Sequence, residues 1–221
     1  MNIKKYLPLF LFVFIFGCGT QQIKFDATNV INKSTYAQNN NSNGVILLDV
    51  NWGRHWSCGN YDNAQLLSLA FDKLPLKNSS NEATPDLVLQ NPSKLMSKPV
   101  FKNYAYSIPA GKYALSAIDI RTAKSLNDIG GFVTKREQLF KNNNPLGGTF
   151  SVNSGEVVFL GNFYLDCTYK DNPTLWRYYP DGRENFQKQI AQYKKSFPYL
   201  DLRDVKFRLF KTKHFGYDYE L

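Results

Sequence analysis

The apolar positions of this chain fall into three regimes. The first is a nearly unbroken run, Tyr6 to Phe16, with Lys4-Lys5 before it and Gly17-Cys18 after it. It is too short to span a bilayer, which takes about 20 apolar residues. Its positive flank and small-residue end have the form of a secretory signal. The second regime, residues 19–43, is rich in Gln, Asn, Ser and Thr, with only Ile23, Phe25, Val30, Ile31 and Tyr36 scattered through it. So little apolar surface does not offset the entropy of ordering, so a flexible tether is expected. Val30-Ile31 is the piece best suited to pack against a domain.

The third regime begins at Gly44 and alternates at period two. Val45 to Val50 is short and β-branched, and reads as a buried strand bounded by Trp52-Gly53. Trp52 to Tyr61 reads as a loop dense in aromatic and polar groups. Leu67, Leu69 and Phe71 alternate with Ser68 and Ala70, predicting a strand over 64–74. Residues 75–99 hold four prolines and read as a long excursion with a short strand at Leu87-Val88-Leu89. Tyr104, Tyr106 and Ile108 alternate up to Pro109-Ala110-Gly111-Lys112, and Tyr113 to Arg121 runs on, predicting a hairpin. Residues 122–148 read as a loop. Phe150 and Val152, the turn Asn153-Ser154-Gly155, and Val157 to Thr168 predict a second hairpin. In that last strand Val157, Phe159, Phe163, Leu165 and Cys167 share one parity and Val158, Leu160, Tyr164 and Asp166 the other, so its start is expected to be covered on both faces.

One helix stands out, late in the chain. Asp181 suits its cap, Glu184 its first turn and Lys194-Lys195 its last. Phe186, Ile190, Tyr193 and Phe197 form one apolar stripe, and Pro198 ends it. Val205, Phe207 and Leu209 then alternate with Lys206 and Arg208 in a closing strand. The expected fold class is mainly β: an antiparallel β-sandwich with one late amphipathic helix and a closing strand. The expected organisation is a signal peptide over 1–17, an anchor and tether over 18–43, a β-sandwich over 44–180, and the helix and strand of 181–221 packed on the same domain.

Ile15-Phe16-Gly17-Cys18 resembles a lipobox, the signal at which bacteria acylate a cysteine and cut before it. The resemblance implies that Cys18 becomes a multiply acylated N-terminus. Gly19 rather than Asp after it implies sorting to an outer membrane. Cys58 and Cys167 are then left in an oxidising compartment, where an even pair reads as one disulfide. That bridge closes a loop of roughly 110 residues, worth on the order of 4–5 kcal/mol by loop entropy. The rival reading is a zinc site from His55, Cys58, Cys167 and His214, in which only His55 and Cys58 have ligand-like spacing.

Charge narrows the partners. The 221 residues carry +9. Residues 1–17 hold two lysines and no acid, so the remainder has 25 basic against 18 acidic residues, or +7. The sign alone would suit nucleic acid, but an exported protein does not meet it. The expected partners are the membrane, through the lipid anchor, and an anionic envelope component or a protein. Neither a cofactor nor a metal is called for.

Pro109-Ala110-Gly111-Lys112-Tyr113-Ala114-Leu115 and Gly148 to Gly161, with Gly155-Glu156-Val157-Val158-Phe159-Leu160-Gly161 at its end, form a recurring pattern. It resembles uncharacterised bacterial envelope lipoproteins whose small β-sandwich carries "PGxYxL … GEvvYlG" hairpins. The resemblance implies a transthyretin- or immunoglobulin-like sandwich and no catalytic residue.

No triad, nucleophile elbow or phosphate loop is present. Glu156 reads as a turn residue. Two aromatic clusters with arginine suit sugar rings, peptides or headgroups. Trp52, Arg54, His55 and Trp56 form one, and Trp176, Arg177 and Tyr178 the other. A Cys58–Cys167 bridge would set both beside it, as a candidate binding patch or as core plugs. The contrary class, an envelope enzyme on cell-wall glycan or peptide, requires Glu156, Asp166, His55 and Arg177 to converge. A third is an accessory subunit of a secretion or adhesion machine.

Overall fold

The computed structural model describes residues 25–38, 42–93, 98–167, 173–178, 182–208 and 210; the proposed signal, Cys18, Asp181, Leu209 and His214 lie outside them. The described elements are α1 (Lys33–Ala37), β1 (Asn43–Asn51), β2 (Arg54–Cys58), β3 (Tyr61–Leu74), β4 (Leu87–Gln90), β5 (Phe101–Pro109), β6 (Gly111–Ala123), β7 (Ile129–Thr134), α2 (Arg136–Leu139), β8 (Phe140–Lys141), β9 (Asn144–Pro145), β10 (Thr149–Val152), β11 (Val157–Asp166), β12 (Thr174–Tyr178), α3 (Gly182–Ser196) and β13 (Val205–Phe207). The chain is mainly β, as expected, and the late helix is accompanied by two short ones.

One sheet runs β12-β11-β1-β5, with β13 also on β11; the other runs β10-β6-β3-β2, with β4 on β3 and β7 on β6. A single apolar cluster draws on both, from Ile46, Leu48 and Val50 of β1 to Leu66, Leu69 and Phe71 of β3. The pairing is not wholly antiparallel. β1 and β13 both run parallel to β11, because β11 returns from the other sheet on the far side of β1.

Both expected hairpins are instead crossings between sheets. β5 pairs with β1, whereas β6 pairs with β3. β10 pairs with β6, whereas β11 pairs with β1. Gly111, at φ +155°, makes the first crossing in a conformation that L side chains rarely adopt. The Tyr113 hydroxyl closes it by donating to the Pro109 carbonyl at 2.7 Å. The start of β1 ties both crossings together: the Ala110 N–H donates to the Ser42 carbonyl and the Gly155 N–H to the Asn43 carbonyl, each at 2.9 Å.

Bulges correct the expected parity. Leu47 stands opposite Phe159 but Asp49 opposite Asn162, so β11 holds one extra residue there. Gly161, at φ +110°, takes it up. Before the bulge, Val158 and Leu160 face the shared core; after it, Phe163 and Leu165 do. Val157 and Phe159 face outward into a second apolar cluster, so the start of β11 is covered on both faces as expected. On β3 a similar shift between Leu66 and Ser68 brings Leu66 rather than Leu67 into the core.

That second cluster lies under α3. Tyr193 and Phe197, with the partly buried Phe186 and Ile190, pack on Val45, Leu47, Ala105 and Phe159. The apolar stripe read from the sequence is the docking face.

Residues 25–38 do not hang as a tether. The Thr28 N–H donates to the Val88 carbonyl at 2.8 Å and the Ile31 N–H to the Ala105 carbonyl at 2.9 Å. Phe25 packs on Ala70, Val88 and Ala117, and Ile31 is buried with α3. Asn32 caps α1 by accepting from the Thr35 N–H at 2.9 Å. The expected docking at Val30-Ile31 is therefore made by Ile31 as part of a longer strap.

Candidate functional site

Cys58 ends β2 in one sheet and Cys167 follows β11 in the other. Their sulfurs are 2.05 Å apart, bonded across 109 residues of sequence. The zinc reading falls with this, because neither thiol is free to ligate. Among the described residues no group of three or more His, Cys, Asp or Glu gathers as a metal site.

The stretch expected to be a loop before Cys58 is largely strand β2. Its alternation is hidden because His55 and Cys58 look like polar or reactive residues yet turn inward. Trp52 is wholly buried and its indole N–H donates to the Tyr104 hydroxyl at 2.7 Å, so it is a core plug and leaves the candidate patch. His55 is half-buried, and burial holds its imidazole below the ordinary value. Trp56 is 61% exposed, with the Arg54 guanidinium 5.4 Å over its ring.

Register shows what surrounds this pair. Trp56 stands opposite Asn63, Asn63 opposite Ala123, and Ala123 opposite Ile129. Arg54, Gln65 and Arg121 make a second row two residues along. Opposed residues share a face, so Trp56, Ile129, Arg54 and Arg121 lie on one face of four strands. At the adjoining end the Lys124 ammonium lies 5.8 Å over the Tyr61 ring.

The second aromatic cluster sits on β12. Trp176 is opposite Tyr164, Arg177 opposite Phe163 and Tyr178 opposite Asn162. The disulfide thus draws the backbones of the two clusters toward one end of the molecule; the side chains of Trp176, Arg177 and Tyr178 lie outside the described part.

The carboxylates proposed for an enzyme do not meet. Glu156 precedes β11 and Asp166 ends it, and a ten-residue strand separates them by about 30 Å. Glu156 is a turn residue, as read. It accepts from the Asn153 N–H and side-chain amide at 3.0 Å each and pairs with Arg208 at 2.9 Å.

Two buried acids escaped the sequence reading. Asp72, on β3, takes a bidentate pair from Arg136 at 2.6 and 2.9 Å. Asp49, on β1, is 2% exposed. It accepts from the Asn103 amide at 3.0 Å, and from the Gln189 amide and Tyr193 hydroxyl of α3. Burial pushes its carboxyl up to about 6, against the pull of these three hydrogen bonds. Burial and the adjacent acid hold the Tyr193 phenol well above its usual range, so it stays a donor. A lone acid inside the run Val45 to Val50 was the signal for this site.

Comparison with family models, with curated proteins and with solved structures finds no match to this chain.

Proposed function

We propose that this chain is a lipid-anchored bacterial envelope lipoprotein whose β domain is a non-enzymatic binding or structural module. The Cys58–Cys167 bridge is the observation that carries the reading. Disulfides persist in oxidising compartments and are rare in reducing ones. With these two sulfurs joined, Cys18 is the cysteine left over, and it stands at the end of the lipobox-like tetrapeptide. The outer membrane is the proposed address, on the strength of Gly19. The two facing sheets over one core support a sandwich, of immunoglobulin or transthyretin type in outline, with parallel strands at β11. The face carrying the exposed Trp56 and Ile129 and the half-buried Arg54 and Arg121 is the proposed contact for an anionic envelope component or a protein partner, since guanidinium groups pair with anionic groups and stack on aromatic faces.

The test pairs localisation with chemistry. Cys18→Ala should move the protein from the membrane to the soluble fraction, and intact mass of the wild type should show a chain starting at an acylated Cys18. Membrane association unchanged in Cys18→Ala, with an unmodified wild-type cysteine, would overturn the proposal.

A further inference from the structure

We infer that α3 is a pH-responsive latch on the outer face of the β12-β11-β1-β5 sheet, held through Asp49 and docked more tightly in mild acid than at neutral pH. Asp49 is the polar centre of the α3 interface. It faces Asn103 of β5, Asn162 of β11, and Gln189 and Tyr193 of α3. Along its own strand the next outward residue is Asn51, whose side chain accepts from the Gly53 N–H at 2.9 Å.

Among the described residues, none of the facing groups is a cation. Lys102, beside Asn103, lies over the Tyr104 ring at 5.6 Å. On α3, Arg183, Lys188, Lys194 and Lys195 are all exposed, and Lys188 pairs with Glu184. Tyr178 of β12 stands opposite Asn162 in register. Tyr193 is the other titratable group in direct contact, and it stays neutral throughout. An ionised carboxylate is therefore enclosed, among the described residues, with neutral donors, an arrangement that burial disfavours.

The sign follows from linkage. With α3 docked the carboxyl titrates near 6, against 3.8 when free. Between these values the docked state binds a proton that the undocked state does not, so docking strengthens as pH falls through that window. The apolar stripe of α3 keeps the helix seated at both ends of the range; Asp49 sets how often it lifts.

Amide hydrogen exchange on the purified protein tests this, with protection factors corrected for intrinsic rates at pH 7.5 and pH 5. Amides of α3 should be about tenfold better protected at pH 5, the factor that a carboxyl moving from 3.8 to about 6 supplies. Asp49→Asn should abolish that difference. Tyr193→Phe keeps the ring, removes a donor to the anion, and should shift the midpoint to higher pH. His55, on the other sheet, works oppositely: a histidine held below its ordinary value loses stability as pH falls through 6.5. Exchange in β3 and β6 therefore serves as the control. Equal α3 protection at the two pH values, a change shared by every core strand, or a tenfold difference retained in Asp49→Asn would each overturn the latch.

Discussion

Asp72 and Asp49 are buried to the same degree, 5% and 2% exposed, on central strands of the two sheets, and they are accommodated by opposite means. Asp72 meets a guanidinium in a bidentate geometry. Arg136 spends its remaining donors on the Ser80 and Ala83 carbonyls at 2.8 and 2.7 Å. The pair thus clamps α2 and the segment around Ser80 onto β3, with charge neutralised on the spot. Among the described residues Asp49 has only neutral donors. One site is a firm fastening, because a bidentate Arg–carboxylate fork fixes orientation as well as distance. The other titrates near the physiological range and binds a helix that docks mainly through an apolar stripe.

The largest effect should come from breaking the fastened site. Arg136→Met strands the Asp72 charge and two carbonyls, and should cost about 3–5 kcal/mol in urea unfolding. Adding Asp72→Leu should restore most of it, because removing both charges also removes both desolvation penalties. A single variant milder than about 1 kcal/mol would erase the contrast with Asp49.

Next comes Tyr193→Phe, which leaves the aromatic packing and removes one donor from a buried acceptor. It should cost about 1–3 kcal/mol at neutral pH and less at pH 5, where Asp49 is largely protonated. Equal cost at both pH values would show that the hydroxyl serves packing and not the anion.

Much of this was legible in the sequence, unevenly. The positions of β1, β3, β4, β5, β6, β10, β11 and β13 followed from alternation and from Gly and Pro punctuation, and α3 from its stripe of Phe186, Ile190, Tyr193 and Phe197; β2, β7 and β12 fall in stretches whose pattern reads as loop. Sheet membership did not follow. Pro109-Ala110-Gly111 and Asn153-Ser154-Gly155 have turn chemistry that serves a hairpin and a crossing equally; the difference lies in hydrogen bonds to Ser42 and Asn43, far off in sequence. Parity failed where a bulge intervened, as at Gly161. The strap over 25–38 has the composition of a tether because its anchors, Phe25 and Ile31 among them, are too few for any pattern. Its Asn32-x-x-Thr35 cap was the overlooked cue. Of the candidate site, the Cys58–Cys167 pairing was readable by elimination, whereas Trp52 could be placed in the core only once Tyr104 was seen to receive its N–H.

The smallest expected effect concerns a third acid, Glu156, and it sharpens the comparison by reversing the sign. Burial alone would raise its carboxyl, but the Asn153 amides and Arg208 outweigh that and hold it below the ordinary value. Its contribution is then present above the usual carboxylate range and lost as pH falls through the lowered value, the reverse of Asp49. Both partners are partly open, with side-chain exposures of 31% and 22%, so solvent screens the pair. Arg208→Ala should cost no more than about 1 kcal/mol at pH 7, and less at pH 3. A urea series at both values would check it. If the loss instead persisted unchanged in acid, Arg208 would be acting through its hydrogen bond to the Ser151 carbonyl at 3.1 Å and not through Glu156. The Arg208 side chain would then fasten the end of β13 to the neighbouring sheet through a backbone carbonyl.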